Sequence, residues 1–591
     1  MIKGGEFLIL NQESKDIFIP EDFTEEQKMM ASATTEFVEK ELDPHRERFE
    51  KKDYKLTEDC MKKAGELGLL GIGVPKKYGG MGMPFNTSVL ICDKISGANG
   101  SFSTAFGAHT GIGILPILLY GDDTQREKYL PKLATGEWMG CYCLTEPGAG
   151  SDANSGKTKA ILTDDGQHYL ITGQKMWISN AGFADVFIVF ARIKDDKNIT
   201  SFILEKGMEG ITLGEEEQKL GLNSSSTRQV FFTQVKVPVK SMLGGRGNGF
   251  KIAMNALNVG RIKLSAAVID ACRRVTSKSI QYANERIQFK VPISQFGAIK
   301  HKIADMASRT FAVESSTYRA GNEIEKNISR LESKGANHQE AHLKGIEEYA
   351  IECSIVKVLG SETIQFCSDE GIQIFGGMGY SAETPMEAAY RDARIARIYE
   401  GTNEINRMLL VAMILKKAMK GELDIMTPAM KTISELMSIP SFKIPDENNL
   451  FSVEKEHLKK LKKAMLMVAG KAAQYYAIEI ESEQEVLMNL ANIVIDIYAS
   501  ESAILRAEKL AYKNGEENTQ QQISMSKLFL YSAIKNCQNA GEEVILSFTE
   551  GDEQKMLLMG LKRFTKGYAI NPKKLRRNIA DKLIQENRFC F

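Results

Sequence analysis

The sequence lacks the features that would tie it to a charged polymer, a disulfide scaffold or a membrane. Its 591 residues carry 76 Lys plus Arg against 76 Asp plus Glu, so no excess of one sign draws it to nucleic acid or an anionic surface. Nine cysteines are scattered singly, except Cys141 and Cys143, which alternate in a strand-like run and lack the second pair a zinc site needs. An odd number of such thiols argues against a disulfide framework and fits a reducing compartment. The longest apolar run, Gly111 to Tyr120, falls short of the ~20 residues that span a bilayer. The opening Met1-Ile-Lys-Gly-Gly-Glu has neither the apolar core of a secretory signal nor the Arg- and Ser-rich character of a transit peptide, so a soluble, cytoplasmic bacterial protein is expected. There is no visible internal repeat. Neither a Walker loop nor Gly-x-Gly-x-x-Gly opening a Rossmann helix is present, so nucleoside triphosphate and nicotinamide sites are not indicated.

Four stretches of different pattern imply a mixed, mostly α architecture. Residues 1–140 read as a helical domain. Thr24-Glu-Glu-Gln27 is a capping box opening an amphipathic run toward Leu42, with further helices expected from Thr57, through Ile91–Ile95 and from Thr124 to Leu133. From 141 to 245, β-branched and aromatic runs at 168–172, 186–190, 200–204 and 229–237 predict a small antiparallel β-barrel or sandwich. Residues 246–420 turn helical: one very long helix from Phe250 to about Arg286, then 299–324, 340–369 and the helices around Glu400. Such lengths suit a bundle with its ligand between helices. Residues 421–449 are expected to be linker, on the composition of Ile439-Pro-Ser-Phe-Lys-Ile-Pro-Asp-Glu-Asn-Asn449. An appended all-α domain fills 450–591, with helices near 451–482, 484–513, 520–549 and 552–564.

Glu400 is the residue most suggestive of chemistry. It precedes a glycine between one helical pattern, which carries Met386, Tyr390, Ala393 and Ile398, and a fresh helix start at Thr402 with Glu404 in its first turn. A carboxylate held in such a break beside Ile398 and Tyr399 is partly desolvated, which raises its pKa toward the range of a general base. Spacing alone favours a helix-end glutamate facing water.

Arg391-Asp-Ala-Arg-Ile-Ala-Arg-Ile-Tyr-Glu-Gly-Thr-Asn-Glu-Ile405 resembles the C-terminal signature of the acyl-CoA dehydrogenases, and Tyr142-Cys-Leu-Thr-Glu-Pro-Gly-Ala-Gly-Ser-Asp152 resembles their first signature. The two stand in family order about 250 residues apart, and the likeness covers roughly residues 25–420. The tail beyond points to the very-long-chain subgroup. Taken alone, each glycine-rich stretch reads as an ordinary loop and Trp177 as readily as a core aromatic. The resemblance implies an FAD cofactor whose ring is lined by Tyr142, Leu144, Thr145, Gly150 and Ser151, with Ser151 also facing acyl-CoA. It implies a second flavin strand at Trp177, Ile178 and Ser179, and closing flavin contacts from Thr402 and Glu404. Arg286, Gln288 and Phe289 match the loop that meets the adenosine diphosphate half of FAD, where a guanidinium fork suits pyrophosphate. Gln373, Ile374, Gly376 and Gly377 match residues that reach the neighbouring subunit's FAD, which implies a homodimer. Asn258, Arg261 and Gly401 fall on the substrate side. Gly260 stands where some members place their base, which leaves Glu400 as the matching carboxylate; two departures are Lys290 where glycine is usual and Gly297 where some members carry glutamine.

The implied reaction is α,β-dehydrogenation of an acyl-CoA of long chain in fatty-acid β-oxidation. Glu400 takes the α-proton, the β-hydrogen leaves as hydride to the flavin, and electrons pass on to electron-transfer flavoprotein. No metal is implied. An oxidase using dioxygen shares fold and base, and a scaffold that keeps the fold is the reading from another class. The basic runs Lys562-Arg-Phe-Thr-Lys566 and Lys573-Lys-Leu-Arg-Arg577 read either as a solvated face or as a peripheral membrane contact.

Overall fold

The computed structural model describes residues 2–436 and 449–591, and it is mostly helical. Among the described residues, seven α-helices precede the sheet: α1 (Glu25–Glu41), α2 (Arg46–Glu50), α3 (Tyr54–Glu66), α4 (Phe85–Ser96), α5 (Gly100–Gly107), α6 (Leu115–Tyr120) and α7 (Asp123–Thr135). The capping box at α1 forms as expected: Gln27 N donates to Thr24 Oγ1 at 3.3 Å and Thr24 N to Gln27 Oε1 at 2.9 Å.

The sheet carries β1 (Gly140–Cys143), β2 (Lys159–Leu162), β3 (His168–Ser179), β4 (Val186–Ile193), β5 (Thr200–Glu205), β6 (Ile211–Glu216), β7 (Thr227–Pro238) and β8 (Met242–Leu243). Its order is β6-β7-β3-β2-β4-β5-β8, and β1 pairs with β4. Two features differ from the expected closed antiparallel barrel. The end strands β6 and β8 do not pair with each other, so the sheet is open, and β1–β4 and β2–β4 run parallel. One edge of β4 is shared, by β1 at its start and β2 at its end. The glycine-rich loop after β1 therefore leaves from the middle of the sheet.

The bundle contains α8 (Gly249–Glu285), α9 (Gly297–Ser333), α10 (His338–Glu348), α11 (Ala350–Phe375), α12 (Gly377–Tyr380), α13 (Met386–Arg394) and α14 (Asn403–Met419). The helix expected over 340–369 is broken at Tyr349, whose φ of −105° and ψ of 26° leave the helical well. Between α8 and α9 lies a hairpin, β9 (Ile287–Gln288) with β10 (Val291–Pro292). Its two turn residues, Phe289 and Lys290, have φ of +52° and +70°. A two-residue turn with both φ positive is the type I′ geometry, which explains why glycine suits the position Lys290 holds.

The stretch 421–449 is not all linker: α15 (Met426–Leu436) forms within it, while 437–448 lies outside the described residues. Five helices then follow: α16 (Ser452–Tyr476), α17 (Gln484–Asn514), α18 (Gln520–Phe548), α19 (Gly551–Thr565) and α20 (Pro572–Glu586). The last was read from sequence only as a basic tail. It is capped by the Asn571 side chain, which accepts from Lys574 N, and its Arg576 pairs with Asp305 of α9 at 2.7 Å. Among the described residues, two helical stretches, Gly100–Tyr120 and Gly249–Glu285, are long and apolar enough to cross a bilayer, but 72% and 67% of their apolar windows are buried inside the fold. Packing in the core accounts for their composition.

One chain of buried ion pairs ties these parts together. Asp93 of α4 meets Arg273 of α8, which meets Glu314 of α9; Glu314 pairs with Arg506 of α17 at 2.8 Å, and Arg506 with Glu21 at 2.6 Å. In a second cluster, Arg319 of α9 reaches Glu501 of α17 at 2.8 Å and Glu323 at 3.3 Å, and Lys462 of α16 meets Glu501 at 2.6 Å. Removing one partner of a buried pair strands the other charge. Arg319→Leu is therefore expected to lower stability by about 3–5 kcal/mol, read as a lower urea midpoint by circular dichroism; an unchanged midpoint would contradict this account.

Candidate active site

Glu400 sits where α13 has ended and α14 has not begun. Its own φ is +59°, unusual for a residue with a Cβ, and Gly401 follows at +81°. The strained turn is held by donors on all sides. Arg261 Nε and Asn406 Nδ2 reach the Glu400 carbonyl at 3.4 and 3.3 Å, and Asn406 Nδ2 reaches the carbonyls of Gly401 and Thr402 at 2.8 and 3.0 Å. Lys357 Nζ of α11 donates to Gly401 O at 2.7 Å and Asn403 Oδ1 at 2.8 Å. Thr402 caps α14, its Oγ1 accepting from Ile405 N at 3.2 Å, as the sequence suggested.

The side chain points at α8. A Cβ on Gly260 would lie 2.4 Å from Glu400 Oε2, so only glycine leaves the carboxylate its place. The residue as a whole is partly accessible, yet Oε2 is covered and has no hydrogen-bond partner. Burial pushes the Glu400 carboxyl up to about 7, against the pull of Arg261 and Lys357. Burial likewise brings Lys357 down to about 7. Arg261 and Asn258, both buried, bond to each other at 2.7 Å, so within this chain they brace the Glu400 turn from α8.

The loop after β1 lies next to this turn. Tyr142 is buried with its hydroxyl unpartnered, and it feels the charge of Glu400. Glu146 anchors the loop: its carboxylate accepts from Lys175 Nζ at 2.6 Å, Lys157 N at 2.6 Å and Thr158 N at 3.1 Å. Met176 N donates to Thr145 O at 2.9 Å, which fastens the loop to β3. Between Lys175 and Ile178 the β3–β7 register slips, and Trp177, with φ of +59°, is turned outward and 51% exposed. A bulge of this kind re-aims a side chain. Ser151 and Gly150 are exposed at the end of this loop, and a Cβ at Gly148 or Gly150 would meet nothing within 4 Å. Leu144 and Ile178 instead pack into the core, so only their backbones remain for a ligand. Ser179 is partly covered; Thr402 is partly covered and Glu404 exposed at the start of α14.

The remaining predicted residues gather elsewhere. Arg286, Gln288 and Phe289 are exposed on the β9–β10 hairpin, Phe289 at 88%. Gln373, Gly376 and Gly377 are exposed at the end of α11, while the Ile374 side chain is in the core. Tyr282 and Phe375 stack at 4.1 Å and join these two helix ends. From Arg261 to Arg286 runs ~37 Å of helix at ~1.5 Å per residue. The predicted set thus forms two clusters, one around Glu400 and one at the far end of α8. An unpartnered buried phenol, a half-exposed indole and open glycines beside a desolvated carboxylate fit a large planar cofactor over the first cluster.

Between the clusters lies a cavity of about 490 Å³, bounded by α8, the α4–α5 junction and α13. It starts at Tyr399 and Leu264 and follows one stripe of α8 through Ala267, Ala271 and Val275 to Lys278. The sequence reading did not find it. Small residues four apart along one face were the available signal.

Comparison with known proteins places these features. Family models match residues 24–137 (acyl-CoA dehydrogenase, N-terminal domain), 141–235 (middle domain), 247–415 (C-terminal domain) and 460–563 (a further acyl-CoA dehydrogenase, C-terminal domain). A probable acyl-CoA dehydrogenase of Bacillus subtilis is 45% identical over 95% of this chain and 94% of its own length. The crystal structure of an acyl-CoA dehydrogenase complexed with FAD from Bacillus anthracis superposes with a TM-score of 0.97 at 43% identity, covering all of both chains. The rat very long-chain specific acyl-CoA dehydrogenase is 38% identical over 60% of this chain and 53% of its own length.

A carboxyl whose folded pKa lies above its unfolded value of 4.5 stabilises the fold fully below pH 4.5, and that stability is lost as pH rises through about 7. Glu400→Gln in cofactor-free protein is thus expected to raise the melting temperature at pH 8 and leave it unchanged or lower at pH 4.5. An equal shift at both pH values would exclude a desolvated Glu400.

Proposed function

The chain belongs to the acyl-CoA dehydrogenase family, and on that premise we propose that it dehydrogenates long-chain acyl-CoA thioesters with Glu400 as the base. The family and its FAD-bound relative make it an FAD-dependent oxidoreductase. The observation that carries the assignment of the base is the Glu400 carboxylate, desolvated against Gly260 and next in the chain to Tyr399, which lines the cavity along α8.

A base working near neutral pH needs a pKa near 7, and burial supplies it. Lys357 and Arg261 keep the carboxylate from rising further. By tying the carbonyls of residues 400–402, Arg261, Lys357 and Asn406 also fix the peptide planes, and with them the direction of the amide groups beside the thioester. When bound, FAD supplies the acceptor for the β-hydrogen as hydride; Tyr142, Thr145, Gly150, Ser151 and Trp177 would hold its ring. Glu400 takes the α-proton on the other side, and exclusion of water at Oε2 keeps that proton from exchanging freely.

Chain length is supported by the cavity. From Leu264 to Lys278 the lining stripe covers about four turns, ~21 Å at ~1.5 Å per residue. One leaflet of a bilayer's hydrocarbon core, the reach of an ordinary lipid chain, is only ~15 Å. The two clusters of predicted cofactor residues, set near opposite ends of α8, support a homodimer in which each FAD meets the hairpin and α11 end of the partner. Electron-transfer flavoprotein as acceptor rests on the dehydrogenase character of the relatives, and a cytoplasmic location on nine free cysteines.

Glu400→Gln should keep FAD and acyl-CoA binding and lose at least ~10³ in turnover, measured as anaerobic bleaching of the flavin's visible band; near-normal bleaching would defeat the assignment. Ala271→Phe should cut kcat/KM on palmitoyl-CoA at least ~10-fold and spare butyryl-CoA. Equal effects on both would remove the cavity from chain-length selection. Peroxide formation in air, in place of electron-transfer flavoprotein reduction, would reassign the acceptor.

A further inference from the structure

Away from these clusters, the turn from α9 to α10 brings three metal-ligating side chains together. Glu332 lies in the last turn of α9, His338 is the first residue of α10, and His342 follows one turn later. The i, i+4 spacing puts both imidazoles on one helix face, with ring centroids 4.1 Å apart. His338 Nδ1 meets Glu332 Oε1 at 3.1 Å. One donor atom from each of the three lies within 4.8 Å of the other two. His338 Nε2 is covered and has no hydrogen-bond partner. His342 faces inward, where it lines a small cavity of about 60 Å³ with Ile346 and Leu119. Two neighbouring cations are engaged elsewhere: Arg330 bonds Asn327 at 2.7 Å and Lys344 bonds Glu340 at 2.7 Å.

We propose that Glu332, His338 and His342 bind one divalent transition cation of the zinc type, clipping the end of α9 to the start of α10. Two imidazoles and a carboxylate are the donor set such ions select, whereas Mg²⁺ and Ca²⁺ ask for oxygen alone. Donors around a tetrahedral ion at zinc distances stand about 3.4 Å apart, so small side-chain rotations close the site, and water takes the fourth position. The ion would displace the His338–Glu332 hydrogen bond and give each donor a stronger partner. The site is structural: α10 packs against α6, α8 and α9, so the clip stiffens the wall between the N-terminal helices and the bundle. No residue of the catalytic or flavin clusters belongs to it, and it does not depend on the functional reading above.

The test uses untagged, full-length holoenzyme stripped with chelator and then titrated with Zn²⁺ by calorimetry, with Co²⁺ as a spectroscopic probe. One Zn²⁺ per chain, a raised melting temperature and a visible Co²⁺ band of low coordination number are expected. His338→Gln and His342→Gln should each weaken binding at least ~10-fold, with the flavin spectrum reporting that both variants fold. Glu340→Gln, on the same helix but outside the site, should bind as the parent does. Absence of Zn²⁺ binding by the parent chain, or binding that survives both histidine replacements, would overturn the proposal. Equal retention of Mg²⁺ would do the same.

Discussion

A carboxylate that must stay ionisable while shut away from water governs the arrangement around Glu400. Desolvation brings it to about 7, but the same desolvation makes it costly to keep. The fold bears that cost through rigid neighbours. Arg261 from α8, Lys357 from α11 and Asn406 from α14 converge on three consecutive carbonyls, so the turn cannot relax to let water reach Oε2. Gly260 completes the arrangement by supplying no atom at all.

Among the described residues, three of the twelve non-glycine residues with positive φ are predicted site residues. They are Glu400, singled out by its place in a helix break, and Trp177 and Phe289, named as site residues through the family resemblance. Such conformations persist only where surroundings over-determine them. At Trp177 a register slip in the sheet does this, at Phe289 a two-residue hairpin turn, and at Glu400 the three side-chain donors. Strain in separate parts of the chain thus delivers an exposed indole, an exposed phenyl ring and a covered carboxylate.

Much of this was legible in advance, and the failures have physical causes. The capping box at Thr24, the long helix α8 and four strands stood out because each shows its own periodicity or cap. β2 buries only Ala160 and β6 buries nothing fully, so neither shows alternation. α20 hides its contact residues Ile579, Ala580 and Leu583 among basic ones. The site motifs were readable as motifs, but their division between the two ends of α8 follows from the straightness of a 37-residue helix, which no local pattern reveals. The cavity and the His338–His342 pair were missed for a related reason: both depend on which face of a helix meets which neighbour.

The middle of α9 is buried without interruption from Thr310 to Ile324, with Glu314, Arg319 and Glu323 inside that stretch. Its partners there include α17, from the last quarter of the chain. During synthesis α9 leaves the ribosome long before α17 exists. At ~5–20 residues per second that delay is roughly ten to forty seconds. Throughout it the nascent chain presents a charged helix face whose α17 partner has yet to be made. The appended helices are thereby a folding obligation of the whole polypeptide, and a messenger cut short before them would yield a protein that aggregates rather than a smaller working enzyme.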